Sequence, residues 1–460
     1  MTKKQLTGAL LAALILIVMM FIPGTENLSS AGIKTICMLI AFLIMLITAP
    51  FRFFHTGLIF IALMPVLGVA PTFSDALTGI SNPVILFVIA SFGITAAFTS
   101  LPLAKRILVA ILRRFGKNVR QITLAIMACA ALVSGIVLSV PTCAVFMAIG
   151  LSFLELYDDP EDKKRTGRAL MIAIPVATMI GAIMTPIASA ISLIALSKLE
   201  EFTGVTIPFI KWMAVGVPIA VVTLPVAWLT ILKVHKPAEV SEDMVKKFIS
   251  NLGIPEKLTK PEINVLIITG VMMALWIASS WVKSINIMVV AVLGACTYCI
   301  PQLKTLKFET FAENIGWDSI FLAVSVFSLG DLMVKNGVSD YLVSILPVLN
   351  VSTPVLIAFV ALLFFALLII IPIAPSLVII MAPPLIALAV STGTSPALIM
   401  FAAAICGCCC FLLPLDTVPL LTYSKGYYTI KDMFVSSLPI QIFIVIVLSV
   451  WLTVANGMFL

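Results

Sequence analysis

The sequence predicts an all-α polytopic membrane protein, with about eleven transmembrane helices and two re-entrant hairpins arranged as inverted repeats. Three observations predict it. The 460 residues are 62% hydrophobic and only 11% charged, where a soluble domain carries roughly 25% charge. The apolar residues come in runs of about 18 to 25, the length a helix needs to span a bilayer. Two longer apolar segments, each broken near its middle by Pro with a hydroxyl residue, recur in the two halves of the chain. Mean hydropathy is +1.21, and no long stretch alternates apolar and polar as a membrane barrel would.

Residues 1–31 hold Lys3, Lys4 and then an apolar run. This resembles a signal peptide, but the run is long and no small-residue cleavage site follows. It is expected to be the first membrane helix. Spans are expected at 7–24, 32–50, 56–71, 83–100, 168–185 with continuation to 198, 209–232, 263–282, 285–301, 318–334, 396–423 and 434–456. Segments 120–155 and 353–392 are too long for one crossing and must return to the side they left. Both are expected to be re-entrant hairpins. Residues 32–232 then form the first repeat and 263–460 the second. Residues 233–262, charged and containing Pro237, Pro255 and Pro261, form a cytoplasmic linker with an amphipathic helix.

The basic residues orient these spans. With the N-terminus inside, every Lys and Arg falls inside except Lys34, Lys198, Lys211, Lys283 and Lys335. That is a strong positive-inside bias. It puts the N-terminus in the cytoplasm and the C-terminus outside, in a bacterial inner (plasma) membrane. The net charge of +7 therefore marks topology, not nucleic-acid binding, because the charges sit in short loops.

Enzyme chemistry has little to stand on. The histidines are His55 and His235, both at expected cytoplasmic edges, and no two carboxylates stand near each other within a span. No HExxH, P-loop or ATP-hydrolysing domain is present. Cys296-Thr-Tyr-Cys299 has CxxC spacing but no charged or His partner nearby. The nine cysteines are expected to pack as small apolar residues. A channel would need a pore around a symmetry axis, which two inverted halves of one chain do not suggest.

The repeat marks the candidate site. The first hairpin centre reads Val140-Pro-Thr-Cys-Ala-Val-Phe-Met-Ala148, and the second reads Ala374-Pro-Ser-Leu-Val-Ile-Ile-Met-Ala382. Pro, a hydroxyl, Met and Ala recur in register. Downstream of each hairpin comes a second break, Thr185-Pro-Ile-Ala-Ser-Ala-Ile-Ser192 and Leu413-Pro-Leu-Asp-Thr-Val-Pro-Leu420. There Pro186/Ser189 pairs with Pro414/Thr417. Each break alone could be an ordinary Pro kink or a hydroxyl bonded to its own helix. Four in paired positions match the broken helices of secondary transporters, which meet near the midplane. A broken helix frees N–H groups and points a positive dipole end inward, so it can hold an anion without Lys or Arg.

At these residues the sequence resembles the divalent anion:sodium symporter family (solute carrier family 13), whose members carry dicarboxylates, citrate or sulfate. The likeness covers nearly the whole chain. It includes Phe73-Ser-Asp-Ala-Leu-Thr-Gly-Ile-Ser-Asn-Pro-Val-Ile85 and the basic pairs Lys105-Arg106 and Arg113-Arg114 of an amphipathic helix leading into the first hairpin. It also includes Trp317-Asp-Ser-Ile-Phe321, Gly330-Asp331, Asn336-Gly337 and the turn Tyr423–Met433. The resemblance implies a homodimer, a scaffold domain and a transport domain moving as an elevator. It implies substrate contacts at the tip residues Ser139, Pro141, Thr142, Pro375 and Ser376, and at Ser189, Ser192 and Thr417. The family's Ser-Asn-Thr tips read Ser139-Val140-Pro141 and Ala374-Pro375-Ser376 here, so both asparagines are absent. The family's Thr-Pro-Pro-Asn appears as Ser189-Ala-Ile-Ser192 and Thr417-Val-Pro-Leu420.

Asp416 stands beside the second helix break. An acid at membrane depth is costly, so it suggests function. It could couple Na⁺ or H⁺, bond broken backbone, or sit at a shallower solvated level. The expected function is secondary transport of a small organic dianion, a C4-dicarboxylate first and citrate or sulfate next, coupled to Na⁺ or H⁺. The alternative is an exchanger without cation coupling. No cofactor is expected beyond the coupling ion, and the partners are the anionic solute, the bilayer and a second copy.

Overall fold

The computed structural model describes residues 2–254, 257–344, 351–371 and 373–458, and every regular element among them is helical. An N-terminal helix, α1 (Lys3–Val18), packs on the next. Then come α2 (Ser30–Thr48), α3 (Phe53–Val66), α4 (Phe73–Ala76), α5 (Pro83–Thr99), α6 (Leu103–Phe115), α7 (Val119–Ser134), α8 (Ser139–Leu154), α9 (Pro160–Gly181), α10 (Ala190–Thr203) and α11 (Phe209–His235). A short linker helix, α12 (Glu242–Asn251), separates these from the second half. That half runs α13 (Lys260–Ala278), α14 (Ile287–Tyr298), α15 (Phe308–Asn314), α16 (Trp317–Lys335), α17 (Val338–Ser344), α18 (Thr353–Ile370), α19 (Ala374–Ser391), α20 (Pro396–Cys408), α21 (Thr417–Tyr423) and α22 (Ile430–Val454).

Local chemistry sets many of these boundaries. Thr2 with Gln5, Thr259 with Glu262 and Thr429 with Asp432 form capping boxes that satisfy orphan N–H groups at the starts of α1, α13 and α22. Pro occupies the first turn of α5, α9, α18 and α20, where its missing N–H costs nothing.

Helices α2 to α11 and α13 to α22 follow the same order, and their packing is reciprocal. α3 packs on α16, while α14, the counterpart of α3, packs on α5, the counterpart of α16. Likewise α10 packs on α19 and α20, and α21 packs on α8 and α9. Exchanged contacts of this kind are what a two-fold relation produces. Two packing groups result. One holds α1 to α5 with α13 to α16; the other holds α7 to α11 with α18 to α22.

Among the described residues, eight helices are long and apolar enough to cross a membrane. Some of the others are shorter than the sequence suggests. α3 has 14 residues and α14 has 12. At about 1.5 Å per residue, twelve residues reach about 18 Å, short of a roughly 30 Å hydrocarbon core. α5 meets α6 at a 53° bend, and α6 lays Leu103, Leu108 and Leu112 inward with Arg113 and Arg114 exposed. The two expected hairpins are helix pairs, α7 with α8 across residues 135–138, and α18 with α19 across 371–373, of which 372 lies outside the described residues.

The linker is tied down at several points. In α12, Phe248 is buried with its ring 5.0 Å from Phe153 at the end of α8. Tyr157 donates its hydroxyl to the Ala238 carbonyl at 3.0 Å. Pro255 lies outside the described residues. Glu262 is fully buried and takes a salt bridge from Arg106 of α6, whose Nη2 also reaches the Lys257 carbonyl at 2.8 Å. His235, at the last residue of α11, is buried against Ser436, 2.6 Å away.

Candidate anion site

Each half breaks one long helix. The first break separates α9 from α10 across residues 182–189, and the second separates α20 from α21 across 409–416. Broken ends leave backbone carbonyls without helical partners, and buried orphans are costly. The last helix of each half supplies a donor. Trp212 of α11 donates its indole N–H to the Ile183 carbonyl at 3.0 Å, and Gln441 of α22 donates its amide to the Cys409 carbonyl at 3.0 Å. Thr185 ties the first break to the first hairpin, bonding the Gly135 carbonyl at 2.6 Å. Gly216 lets α11 come close: a Cβ there would stand 2.4 Å from the Ile183 oxygen.

The second half-helices start in matching ways. Ser189 is the N-cap of α10 and accepts from the Ile191 N–H at 3.2 Å. Asp416 is the N-cap of α21 and accepts from the Val418 N–H at 3.0 Å, with the Thr417 hydroxyl 3.4 Å away. The sequence match paired Ser189 with Thr417; the structure gives the shared cap role to Ser189 and Asp416. Thr417 is the first residue of α21 and is exposed.

The four helix ends cross between halves. Ser192 on α10 places its hydroxyl 3.6 Å from the Cys408 thiol at the end of α20. A Cβ on Gly407 would touch Ile191 at 2.9 Å and Ala374 at 3.5 Å, so the starts of α10 and α19 meet the end of α20. On the other side the Cys143 thiol of α8 faces the Val418 carbonyl of α21 at 3.6 Å.

The hairpin tips differ in what their hydroxyls do. α8 and α19 both begin without a side-chain cap. Thr142 is buried and spends its hydroxyl on the Leu138 carbonyl of its own helix at 2.9 Å. Ser376 is buried too, but its hydroxyl has no partner. Ser139 and Pro141 stand in the first turn of α8, half-buried, and Pro375 does so in α19. A small cavity beside the first tip is lined by Ile136, Leu138 and Ile187 together with Phe87, Ser91 and Trp276 of the opposing helices. The expected site residues do not line it. Leu138 N–H donates to Thr95 of α5 at 3.3 Å across the same gap.

Sequence reasoning did not single out Trp212, Gln441 or Gly216, and it read Cys143 and Cys408 as packing residues. Gln441 alone carried a signal, an amide inside an otherwise apolar helix. Among the described residues no cluster of His, Cys, Asp and Glu could hold a metal ion as three or more ligands.

Comparison with known proteins settles the family. The sodium:sulfate symporter transmembrane region matches residues 3–460. The chain belongs to this family. Among its relatives, the sodium-dependent dicarboxylate transporter SdcS of Staphylococcus saprophyticus is 24% identical over 455 residues, covering 93% of this chain and 87% of that protein. SdcS of Staphylococcus aureus strain USA300 matches with the same identity and coverage. Two solved transporters share the fold. The Alcanivorax borkumensis YdaH transporter aligns with TM-score 0.56 at 13% identity over 82% of this chain and 85% of its own. Neisseria gonorrhoeae MtrF aligns with TM-score 0.57 at 12% identity over 99% and 95%. This sodium:sulfate symporter family member is therefore a multi-pass membrane transporter of anions and not an enzyme.

Proposed function

We propose that the protein imports a small organic dianion, a C4-dicarboxylate first, by Na⁺-coupled symport through an elevator movement. The observation that carries this reading is the buried, unpartnered Ser376 hydroxyl in the first turn of an uncapped helix, whose start converges with the start of α10 on Gly407 at the end of α20. An orphan donor beside open N–H groups suits a carboxylate. The anion would lie between the starts of α8, α10, α19 and α21, each presenting its positive end. Asp416, the acid at the second break, supplies the negative charge that a coupling cation needs, and Na⁺ favours oxygen ligands of the kind Asp416 and Thr417 present. The group holding both hairpins would move against the group holding α3 and α16. A second copy would brace the latter, and the N-terminus would be cytoplasmic.

The test is succinate uptake into proteoliposomes, with and without an inward Na⁺ gradient, a pH gradient and internal succinate. Na⁺-stimulated uptake is the expected result. Stimulation by a pH gradient alone would move the coupling role to H⁺. Uptake that needs internal succinate and ignores Na⁺ would make the protein an exchanger. Sulfate or citrate competing where succinate does not would replace the substrate.

A further inference from the structure

Lys198 lies in the last two turns of α10 and is only 1% exposed. A cation so buried needs counter-charge. It has two carboxylates. Its Nζ donates to Glu201 at 2.7 Å, one turn further along its own helix, and to Asp331 at 3.2 Å, on α16. The Phe327 ring, one turn before Asp331, sits 5.6 Å from the same nitrogen. Gly330 makes this junction possible. A Cβ there would stand 2.7 Å from Ile379 of α19 and 3.6 Å from Lys198 Nζ. Three helices thus meet at one charge, and they belong to different packing groups: α10 and α19 to the hairpin group, α16 to the other.

We propose that Lys198 and Asp331 form a latch between the two helix groups, and that Glu201 keeps Lys198 neutralised when the latch opens. This rests on the elevator reading. The physical argument turns on where the charges go. Breaking a buried ion pair is costly when it strands a charge. Here a sliding movement parts Lys198 from Asp331 but not from Glu201, which travels on the same helix. Asp331, with its side chain 27% exposed, regains water. The pair therefore holds one position without making the other inaccessible.

Opposite effects of the two carboxylates separate a latch from a merely structural bridge. Asp331→Asn removes the tie and should speed translocation about fivefold, the factor matching an ion pair of ~1 kcal/mol. Glu201→Gln keeps the tie but strands Lys198 on opening, and should slow translocation by a similar factor. A structural bridge would change both variants in one direction, through stability. The measurements are succinate counterflow rates in proteoliposomes and, on an Ile379→Cys background, mass-mapped maleimide labelling at position 379. That position is buried under Gly330 and becomes accessible only when α19 leaves α16. Faster counterflow and labelling in D331N, with slower values in E201Q, are expected. Shifts in the same direction, or none, would overturn the latch. Should the wild type move no succinate, labelling decides alone: opposed shifts keep the latch and sink only the dicarboxylate reading.

Discussion

Asp416 is an N-cap and, in the proposed function, the candidate coupling acid. Its carboxylate caps α21, and it is the acid beside the second helix break. Asn is as good an N-cap as Asp. Asp416→Asn should therefore leave expression and melting temperature near wild type while raising the Na⁺ concentration for half-maximal uptake about tenfold, equal to ~1.4 kcal/mol. A Na⁺ titration of succinate uptake checks it; an unchanged profile would leave Asp416 as a cap alone. Ser376 and Thr142 looked equivalent by register, and the structure separates them. Thr142 is bonded to its own helix, whereas the Ser376 hydroxyl is an orphan. Removing an unsatisfied buried hydroxyl costs little stability. Ser376→Ala should keep or slightly raise the melting temperature and raise the KM for succinate about tenfold. Thr142→Ala should change KM about twofold or less. Equal effects on KM would refute the distinction.

At the scale of elements, the broken helices depend on neighbours that complete their hydrogen bonds. Trp212→Phe leaves the Ile183 carbonyl unpaired, whereas Gln441→Leu leaves the Cys409 carbonyl with the Phe411 N–H at 2.9 Å. The first should cost about 1–3 kcal/mol of stability, the penalty for a buried unsatisfied polar group, and the second about 1 kcal/mol, the net worth of one hydrogen bond. Gly216→Ala places a methyl 2.4 Å from the Ile183 oxygen and should cost about as much through forced separation of α11 from the break. Thermal melting in detergent measures all three, and a variant without loss would show that water can fill the missing bond. Element types and helix breaks were legible because Pro, hydroxyl and apolar run length are local signals. The donors were not, because Trp212 lies about one helix away from the carbonyl it serves and nothing local marks it.

For the whole molecule, the linker region ties the two halves at one buried charge. Arg106 of α6 pairs with fully buried Glu262 at the start of α13, and Thr259 donates to the same carboxylate. Arg106→Ala would strand that carboxylate. It should cost about 3 kcal/mol, the scale for breaking a buried ion pair from one side. Glu262→Gln together with Arg106→Ala should recover part of the loss, since no charge is then left unpaired. Melting temperatures of the two variants decide it; equal loss in both would mean that the pair is solvated.

The sequence by itself determined the membrane class, the all-helical fold and the Pro-marked helix breaks. These follow from composition, run length and Pro placement, which act within a few turns of the chain. Its motifs also pointed to the family that the whole-length match establishes. Only the tertiary structure decided which hydroxyl is free, that Ser189 and Asp416 share the cap role, and that Lys198 bridges two helix groups. Those facts depend on which helix end faces which. Lys198 and Asp331 are 133 residues apart, and no local pattern records that they meet.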